Sequence, residues 1–155
     1  MNRKNLLIVG GTSGILISSL ERLLKEKYFI FATYNNEKSL LNIPKKIRKS
    51  KNIKFIKLDL SSSDKKIIEI LKKNKVKADS VINAVGGSFG VKEYPFEITN
   101  WQKMLDLNIL KHILINNFFL NEMIKNKFGR ILFFSTTAVE DKNASIAYSS
   151  SKAFL

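Results

Sequence analysis

Short apolar runs alternate with longer amphipathic segments along this chain, and this alternation constrains the possible folds more than any other feature. Five runs have the length and apolar character of buried strands: 5–9, 28–34, 53–58, 79–83 and 130–134. After the first run, Ile17, Leu20 and Leu24 recur at helical spacing. Strands that alternate with helices form βαβ units, so the pattern predicts one α/β domain over residues 1–155 with a parallel sheet.

Residues suited to starting a helix follow several of these runs. Ser61, Ser62, Ser63 and Asp64 offer N-caps to a helix that runs to about residue 74. Thr99 or Asn100 can cap a long helix that continues unbroken to about residue 127, and residues 147–155 form the first turns of another. Residues 86–90 are predicted to form a loop, and a polar, basic stretch with Pro44 separates the second and third runs.

The formal charge of +14 raises the question of a nucleic-acid partner. The basic residues are spread over the whole chain, and the one dense stretch, 45–57, carries no nucleic-acid-binding motif. An anionic ligand that bears phosphate groups fits this charge equally well. We therefore expect no nucleic-acid partner.

The lack of cysteine excludes a disulfide framework and fits a reducing compartment. The first apolar run stops at Gly10, too soon for a signal peptide or a membrane span. These features favour a cytoplasmic protein without membrane attachment. The single histidine, His112, lies in an apolar helical segment without clustered carboxylates, so we interpret it as a packing residue and expect no metal site.

A glycine-rich turn, Gly10-Gly11-Thr12-Ser13-Gly14, connects the first strand to the first helix. Glycine at position 10 permits a tight turn, and glycine at 14 lets the helix begin close to the sheet. The free N–H groups of that helix would face a diphosphate. A plain strand-to-helix connection remains the alternative.

Tyr148 and Lys152 lie four residues apart in the last predicted helix and so share a face. A free tyrosine has a pKa near ~10, and a neighbouring cation stabilises the phenolate and makes a phenol usable in proton transfer. Ser135 ends the fifth strand, thirteen residues before Tyr148. A hydroxyl there can donate to a carbonyl oxygen as negative charge develops. Two unrelated side chains on a helix surface are the alternative for the Tyr–Lys pair.

These motifs, in this order, resemble the N-terminal part of the short-chain dehydrogenase/reductase family over essentially the whole chain. Further matching segments are Asp59-Leu60, Asn83-Ala84-Val85, residues 101–108 and residues 129–135. The resemblance implies a three-layer, Rossmann-type α/β fold with strand order 3-2-1-4-5. It places a nicotinamide dinucleotide across the carboxyl ends of the strands, between the first and fourth.

The resemblance assigns cofactor contacts to fourteen residues: Gly10, Thr12, Ser13, Gly14, Ile15, Tyr34, Asn35, Asp59, Leu60, Asn83, Ala84, Val85, Tyr148 and Lys152. Leu16 stands where the family has its last glycine, so its side chain must point away or displace the cofactor. Val85 is a second departure from the family pattern. Asp59 has an alternative role as a cap of the loop that follows it.

The end of the second strand bears on which dinucleotide binds. An acidic residue there binds the ribose 2′-OH of NAD, but this chain has Tyr34 followed by Asn35, with Lys38 nearby. The absence of an acid favours NADP(H) over NAD(H).

The resemblance also implies four catalytic roles. Tyr148 is the acid/base, Lys152 tunes it and holds the ribose hydroxyls, and Ser135 polarises the carbonyl. Thr136 and Thr137 are alternative sources of that hydroxyl. Asn108 supports a water-mediated proton relay, and a buried Asn108 would need such a partnered role; a solvent-facing one would be inert.

Members of the family continue beyond this point with two more strands and a loop that closes over the substrate. We therefore expect a fragment of an NAD(P)-dependent oxidoreductase, with weak or no activity alone, whose parent acts on a small carbonyl or alcohol substrate as a homo-oligomer. The alternative is a degenerate nucleotide-binding or interaction protein without turnover. Leu16, Val85 and the early end of the sequence motivate that alternative.

Overall fold

Five parallel strands form one sheet in the computed structural model, which describes residues 4–89, 97–140 and 145–155. The strand order is β3-β2-β1-β4-β5. Their bounds are β1 (Asn5–Val9), β2 (Phe29–Tyr34), β3 (Ile53–Lys57), β4 (Ser80–Asn83) and β5 (Arg130–Phe133). The predicted strands, their order and the Rossmann-type sheet are confirmed.

Helices follow the strands in the βαβ pattern that the sequence predicts. They are α1 (Gly14–Lys25), α2 (Glu37–Leu40), α3 (Lys45–Arg48), α4 (Asp64–Lys73), α5 (Ile98–Leu105), α6 (Lys111–Lys125) and α7 (Ile146–Ala153). Ser63 caps α4, because its hydroxyl accepts from the Lys66 backbone N–H. Over the described residues, none of these helices combines the length and apolarity needed to cross a membrane.

The sheet has a buried hydrophobic cluster on each face, because successive side chains of a strand point to opposite sides. Leu6 and Ile8 of β1 pack in one cluster with Leu16 and Leu20 of α1. Leu7 and Val9 belong to the other, which α4 and α6 cover with residues such as Ile67, Leu71, Ile115 and Phe119. The glycine-rich turn and the carboxyl ends of β1 and β4 therefore rest on a sheet packed from both sides.

The polar, basic stretch after β2 contains two single-turn helices, α2 and α3, for which the sequence analysis made no prediction. Asn36 caps α2 by accepting from the Lys38 backbone N–H at 2.9 Å. Ile43 and Ile47, spaced four residues apart, are buried in the same cluster as α1. Helices of four residues are too short to show a periodic pattern in the sequence.

The long helix predicted to begin at Thr99 or Asn100 is not continuous. It starts at Ile98, after Glu97, which makes no side-chain capping bond, so the predicted cap is wrong. A π-helical turn, Asp106–Leu110, separates α5 from α6. A π turn accommodates one extra residue in the helix; here Leu107, Asn108 and Ile109 are all buried. Helical periodicity in the sequence does not reveal such an insertion.

Candidate active site

A cleft of about 450 Å³ opens at the carboxyl ends of the strands, above the glycine-rich turn. Most of the residues predicted to contact a cofactor line it: Gly10, Thr12, Ser13, Tyr34, Asn35, Asp59, Leu60, Ala84 and Val85. The sequence analysis missed further lining residues, among them Thr33, Gly86, Phe89 and Leu107. Gly90, the last residue of the predicted loop, lies outside the described residues. The strand order brings these segments together because parallel strands end at one edge.

Two glycines of the turn are required by their surroundings. Gly10 has a φ of +86°, and a Cβ there would lie 2.7 Å from Val85 Cγ2. A Cβ on Gly11 would lie 2.7 Å from the Ala32 Cβ. Thr33 holds the turn on β2, since its hydroxyl accepts from the Gly10 N–H at 2.9 Å. The Thr33 contact crosses between strands, so no local sequence signal could have indicated it.

Gly14 differs from these two because the space around it is open. Among the described residues, apart from its chain neighbours and the backbone of its own helix, nothing lies within 4 Å of the position that a Cβ on Gly14 would take. No described neighbour therefore demands glycine there, and the open space suits close approach of a ligand to the first turn of α1. Ile15, the next predicted contact, is 67% exposed on α1.

Leu16 points away from the cleft. Its side chain is 3% exposed and belongs to the cluster formed with Ile8, Leu20 and Ile30. The Leu16 side chain, which departs from the family's glycine pattern, thus fills the core between α1 and the sheet. It leaves the cofactor side of the turn clear.

Ser13, at the N-cap of α1, has a hydroxyl that fits an anionic ligand. This oxygen is buried, makes no capping bond, and has no hydrogen-bond partner among the described residues. A buried polar group without a partner costs free energy, so a ligand that bonds to it would remove that cost. The Leu16 and Ile17 N–H groups already donate to the Ser13 carbonyl, so a ligand at this helix start would meet the N–H groups of Gly14 and Ile15. This end of the cleft fits the diphosphate of a dinucleotide.

The adenosine end, as implied by the family resemblance, carries Asp59. Its Oδ1 accepts from the Ser61 backbone N–H at 2.9 Å and the Ser61 hydroxyl at 2.8 Å. This is the loop-capping role foreseen as the alternative, and contact with adenine stays a prediction for the remaining carboxylate oxygen.

An acidic side chain does stand at the end of β2, although the sequence position expected for it holds Tyr34. Glu37, on α2, bonds to the Tyr34 hydroxyl and lies 3.4 Å from the Lys57 ammonium. Burial, and then the Glu37 charge, raise the pKa of Tyr34. The sequence analysis missed Glu37 because it inspected the strand end and not the helix that follows.

Lys152 and Asn108 both lie close to Gly86, which lines the cleft. The predicted contacts Lys152 and Tyr148 are not themselves among the described residues that line it. Lys152 is 5% exposed, and its ammonium donates to the Phe134 carbonyl at 2.9 Å. A Cβ on Gly86 would lie 2.5 Å from Lys152 Nζ and 3.0 Å from Asn108 Oδ1. Burial lowers the pKa of Lys152, because water no longer solvates the ammonium.

Asn108 is fully buried within the π turn and bonded at both ends to Gly87. Its Oδ1 accepts from the Gly87 N–H at 3.0 Å, and its Nδ2 donates to the Gly87 carbonyl at 3.1 Å. The predicted need for a partner is therefore met by the backbone of the loop after β4. The water relay stays a prediction.

Tyr148, Ser135 and Lys152 are brought to the same region without direct side-chain bonds to one another in the part of the chain that the structure describes. Tyr148 is half-buried on α7. The Ser135 hydroxyl donates to the Lys152 backbone carbonyl at 3.1 Å, so it must rotate before it can donate to a substrate. The Thr136 hydroxyl accepts from the Ala138 N–H at 3.2 Å, which leaves its own proton available.

Gly86 and Gly87 provide a matched pair for testing this arrangement. We expect Gly86→Ala to displace the Lys152 ammonium from Phe134 and to weaken NADPH binding roughly ten-fold, the scale of one hydrogen bond to a charged group. Among the described residues, the same change at Gly87 meets only the Phe89 backbone N, at 3.9 Å, and should leave affinity within about two-fold. Fluorescence titration of both variants checks this, and equal affinities would contradict it.

The sequence matches the short-chain dehydrogenase family over residues 4–155. It is 27% identical to the 3-ketodihydrosphingosine reductase of Mus musculus over 157 aligned residues, covering 96% of this chain and 47% of that protein. It is 26% identical to glucose 1-dehydrogenase 2 of Bacillus subtilis, covering 96% of this chain and 60% of that enzyme. Among solved structures, ElxO with NADP bound superposes with a TM-score of 0.76 at 28% identity, over 98% of this chain and 63% of ElxO.

This chain belongs to the short-chain dehydrogenase family, a family of NAD(P)-dependent oxidoreductases. The family and the fold predicted from the motifs are thereby confirmed. The chain spans about half the length of the mammalian reductase that it matches.

Proposed function

We propose that this chain forms the NADP(H)-binding and catalytic half of an oxidoreductase that transfers hydride between nicotinamide and a carbonyl or alcohol carbon. The observation that carries the proposal is the buried ammonium of Lys152, which lies close to Gly86, a residue that lines the cleft. Ser13 also lines the cleft, and its hydroxyl at the start of α1 has no partner among the described residues. A cation and an anion-binding turn beside one cleft suit a dinucleotide.

The cofactor supplies the hydride when it is bound, and the chain supplies binding, orientation and proton transfer. Ser13 and the first turn of α1 hold the diphosphate. The Lys152 ammonium donates one hydrogen bond to the Phe134 carbonyl. Its two other N–H groups can donate to the ribose and to the Tyr148 oxygen. Tyr148 exchanges the proton with the substrate oxygen, and the hydroxyl of Ser135, or of Thr136, donates to that oxygen. Asn108 fixes the loop that faces the nicotinamide end.

The names of the relatives support carbonyl and alcohol chemistry, since one is called a keto reductase and another a dehydrogenase of glucose. Titration of the chain with NADPH and NADH, followed by a panel of ketones and alcohols, tests the proposal. Micromolar binding with turnover supports it, and a chain that binds neither dinucleotide refutes it. Binding without turnover, both in this chain and in a version extended to the length of its relatives, would instead favour the degenerate binding protein. A homo-oligomeric parent and a cytoplasmic location stay predictions.

We also propose that the preference for NADP(H) is limited by Glu37. A carboxylate near the end of β2 repels a 2′-phosphate, and the ion pair with Lys57 partly offsets that repulsion. Because Glu37 is well exposed, we expect Glu37→Gln to improve the ratio of NADPH to NADH affinity by only about three-fold. Glu26→Gln, in the exposed end of α1, is the control. A shift in favour of NADH would contradict the proposal.

A further inference from the structure

A buried polar network lies directly beneath the floor of the cleft and is not used by the mechanism above. His112 of α6 is 1% exposed, and its Nε2 lies 2.9 Å from the Val85 carbonyl oxygen. Its Nδ1 lies 3.1 Å from Oδ1 of Asn83, which is 2% exposed. The amide nitrogen of Asn83 donates in turn to the Asn116 side chain and the Leu132 carbonyl. The network ties β4 to α6 and β5.

The protonation state of the His112 ring decides which of its two contacts is a hydrogen bond. Burial lowers the pKa of His112 to about 4, and the nearby Lys152 charge acts in the same direction. A neutral ring carries one N–H. The Val85 carbonyl and the Asn83 Oδ1 can both only accept, and the Val85 contact is the shorter of the two, so we place the N–H on Nε2. Nδ1 is then an acceptor facing an oxygen, and the Val85 contact is the one that holds.

Val85 is the residue whose position matters most in this loop. Its side chain packs on Gly10, where a Cβ would come within 2.7 Å of it, and it lines the cleft. Directly after it, Gly86 leaves room for the Lys152 ammonium, and Gly87 forms two hydrogen bonds with the Asn108 side chain. Displacement of the Val85 carbonyl would therefore disturb both the glycine-rich turn and the position of the ammonium.

We propose that His112 is a positioning residue of the cofactor site, whose Nε2–H holds the Val85 carbonyl and thereby the segment 83–87 that faces the cleft. This inference rests on the proposed function in one respect, namely that the segment binds a dinucleotide. It revises the expectation that His112 is a packing residue, since an apolar side chain of equal size would leave a buried carbonyl without a donor.

The ring state is the first test, and it needs no cofactor. His112 is the single histidine of the chain, so its ring nitrogens are identified in a 15N-labelled sample without assignment. We expect the neutral Nε2–H tautomer at pH 7. An imidazolium, or the Nδ1–H tautomer, at that pH would overturn the proposal.

The second test compares His112→Gln with His112→Met. The two side chains have similar length, and the glutamine amide can donate near the Nε2 position whereas methionine cannot. We expect the Met variant to bind NADPH roughly ten-fold more weakly, the scale of an unsatisfied buried carbonyl, and the Gln variant to stay within about three-fold of the original. Equal losses in the two variants would refute a role for the donor.

Amide hydrogen exchange separates positioning from general destabilisation. In the Met variant the Gly87 N–H should exchange faster relative to the Leu7 N–H of β1, because the loop opens locally while the sheet stays intact. The Gln variant should keep the original ratio. If exchange of both amides became faster by the same factor, His112 would stabilise the fold as a whole and would not position the segment. If the original chain binds neither dinucleotide, the proposed function fails, while ring state and exchange still decide the role of His112.

Discussion

Replacing Lys152 by methionine should abolish hydride transfer and, at the same time, stabilise the fold. The ammonium is almost fully buried and its bond is to a neutral carbonyl, so the charge carries an uncompensated desolvation cost. Methionine fills a similar volume without that cost. We expect turnover to fall by at least about a hundred-fold, because Tyr148 would lose the cation that we propose assists its proton transfer. NADPH affinity should fall roughly ten-fold.

Lys111→Met is the matched control, because Lys111 is also largely buried but forms an ion pair with Asp64 at 2.6 Å. Its loss should destabilise the fold by about 0.5–1 kcal/mol and leave NADPH affinity unchanged. Urea denaturation and dinucleotide titration of both variants measure these effects. If Lys152→Met unfolds more easily than Lys111→Met, the buried ammonium is a structural element and our interpretation of it is wrong.

The same charge predicts a pH dependence of stability. The folded-state pKa of Lys152 lies below the ordinary value of 10.5, so the unfolded chain binds this proton more tightly. The penalty is fully present below the folded pKa and disappears as the pH rises toward 10.5. The free energy of unfolding should therefore rise over that alkaline window relative to Lys152→Met, measured in the same buffers. A falling difference would contradict the assigned direction.

Alanine at Gly10 and alanine at Gly14 should have opposite effects on stability. At Gly10, a positive φ and a Cβ 2.7 Å from Val85 Cγ2 together should cost about 2–4 kcal/mol. At Gly14, the Cβ meets open space at the start of a helix, so the variant should gain about 0.5–1 kcal/mol. The Cβ would occupy the approach to the diphosphate, and NADPH affinity should fall roughly ten-fold, as for an overpacked contact.

Chemical denaturation and NADPH titration of the two glycine variants test whether stability and affinity change independently. The informative result is a Gly14→Ala protein that is at least as stable as the original and binds NADPH more weakly. Unchanged affinity at Gly14 would show that the cofactor does not approach the first turn of α1. Unchanged stability at Gly10 would contradict the described packing of Val85.

Much of the fold follows from local sequence because buried parallel strands and amphipathic helices each leave a periodic pattern. The apolar runs located all five strands, and the serines before Asp64 located the start of α4. The glycine-rich turn located the cleft, and the Tyr–Lys spacing located α7. Periodicity failed where the helix changes its hydrogen-bond register at Asp106–Leu110, and it could not locate α2 and α3 because four residues are too few to show a repeat.

The sequence by itself determined the order of strands and helices, the glycine-rich turn and the residue types near the cleft. These features are local, and each depends on the residues adjacent to it in the chain. Only the tertiary structure decided that Leu16 points into the core, that Glu37 lies beside Tyr34 and Lys57, and that Gly86 leaves room for both Lys152 and Asn108. Some of those contacts join segments that are remote in sequence, and others depend on the direction of a side chain. Packing across the sheet sets both, and the spacing of residues in the sequence does not predict them.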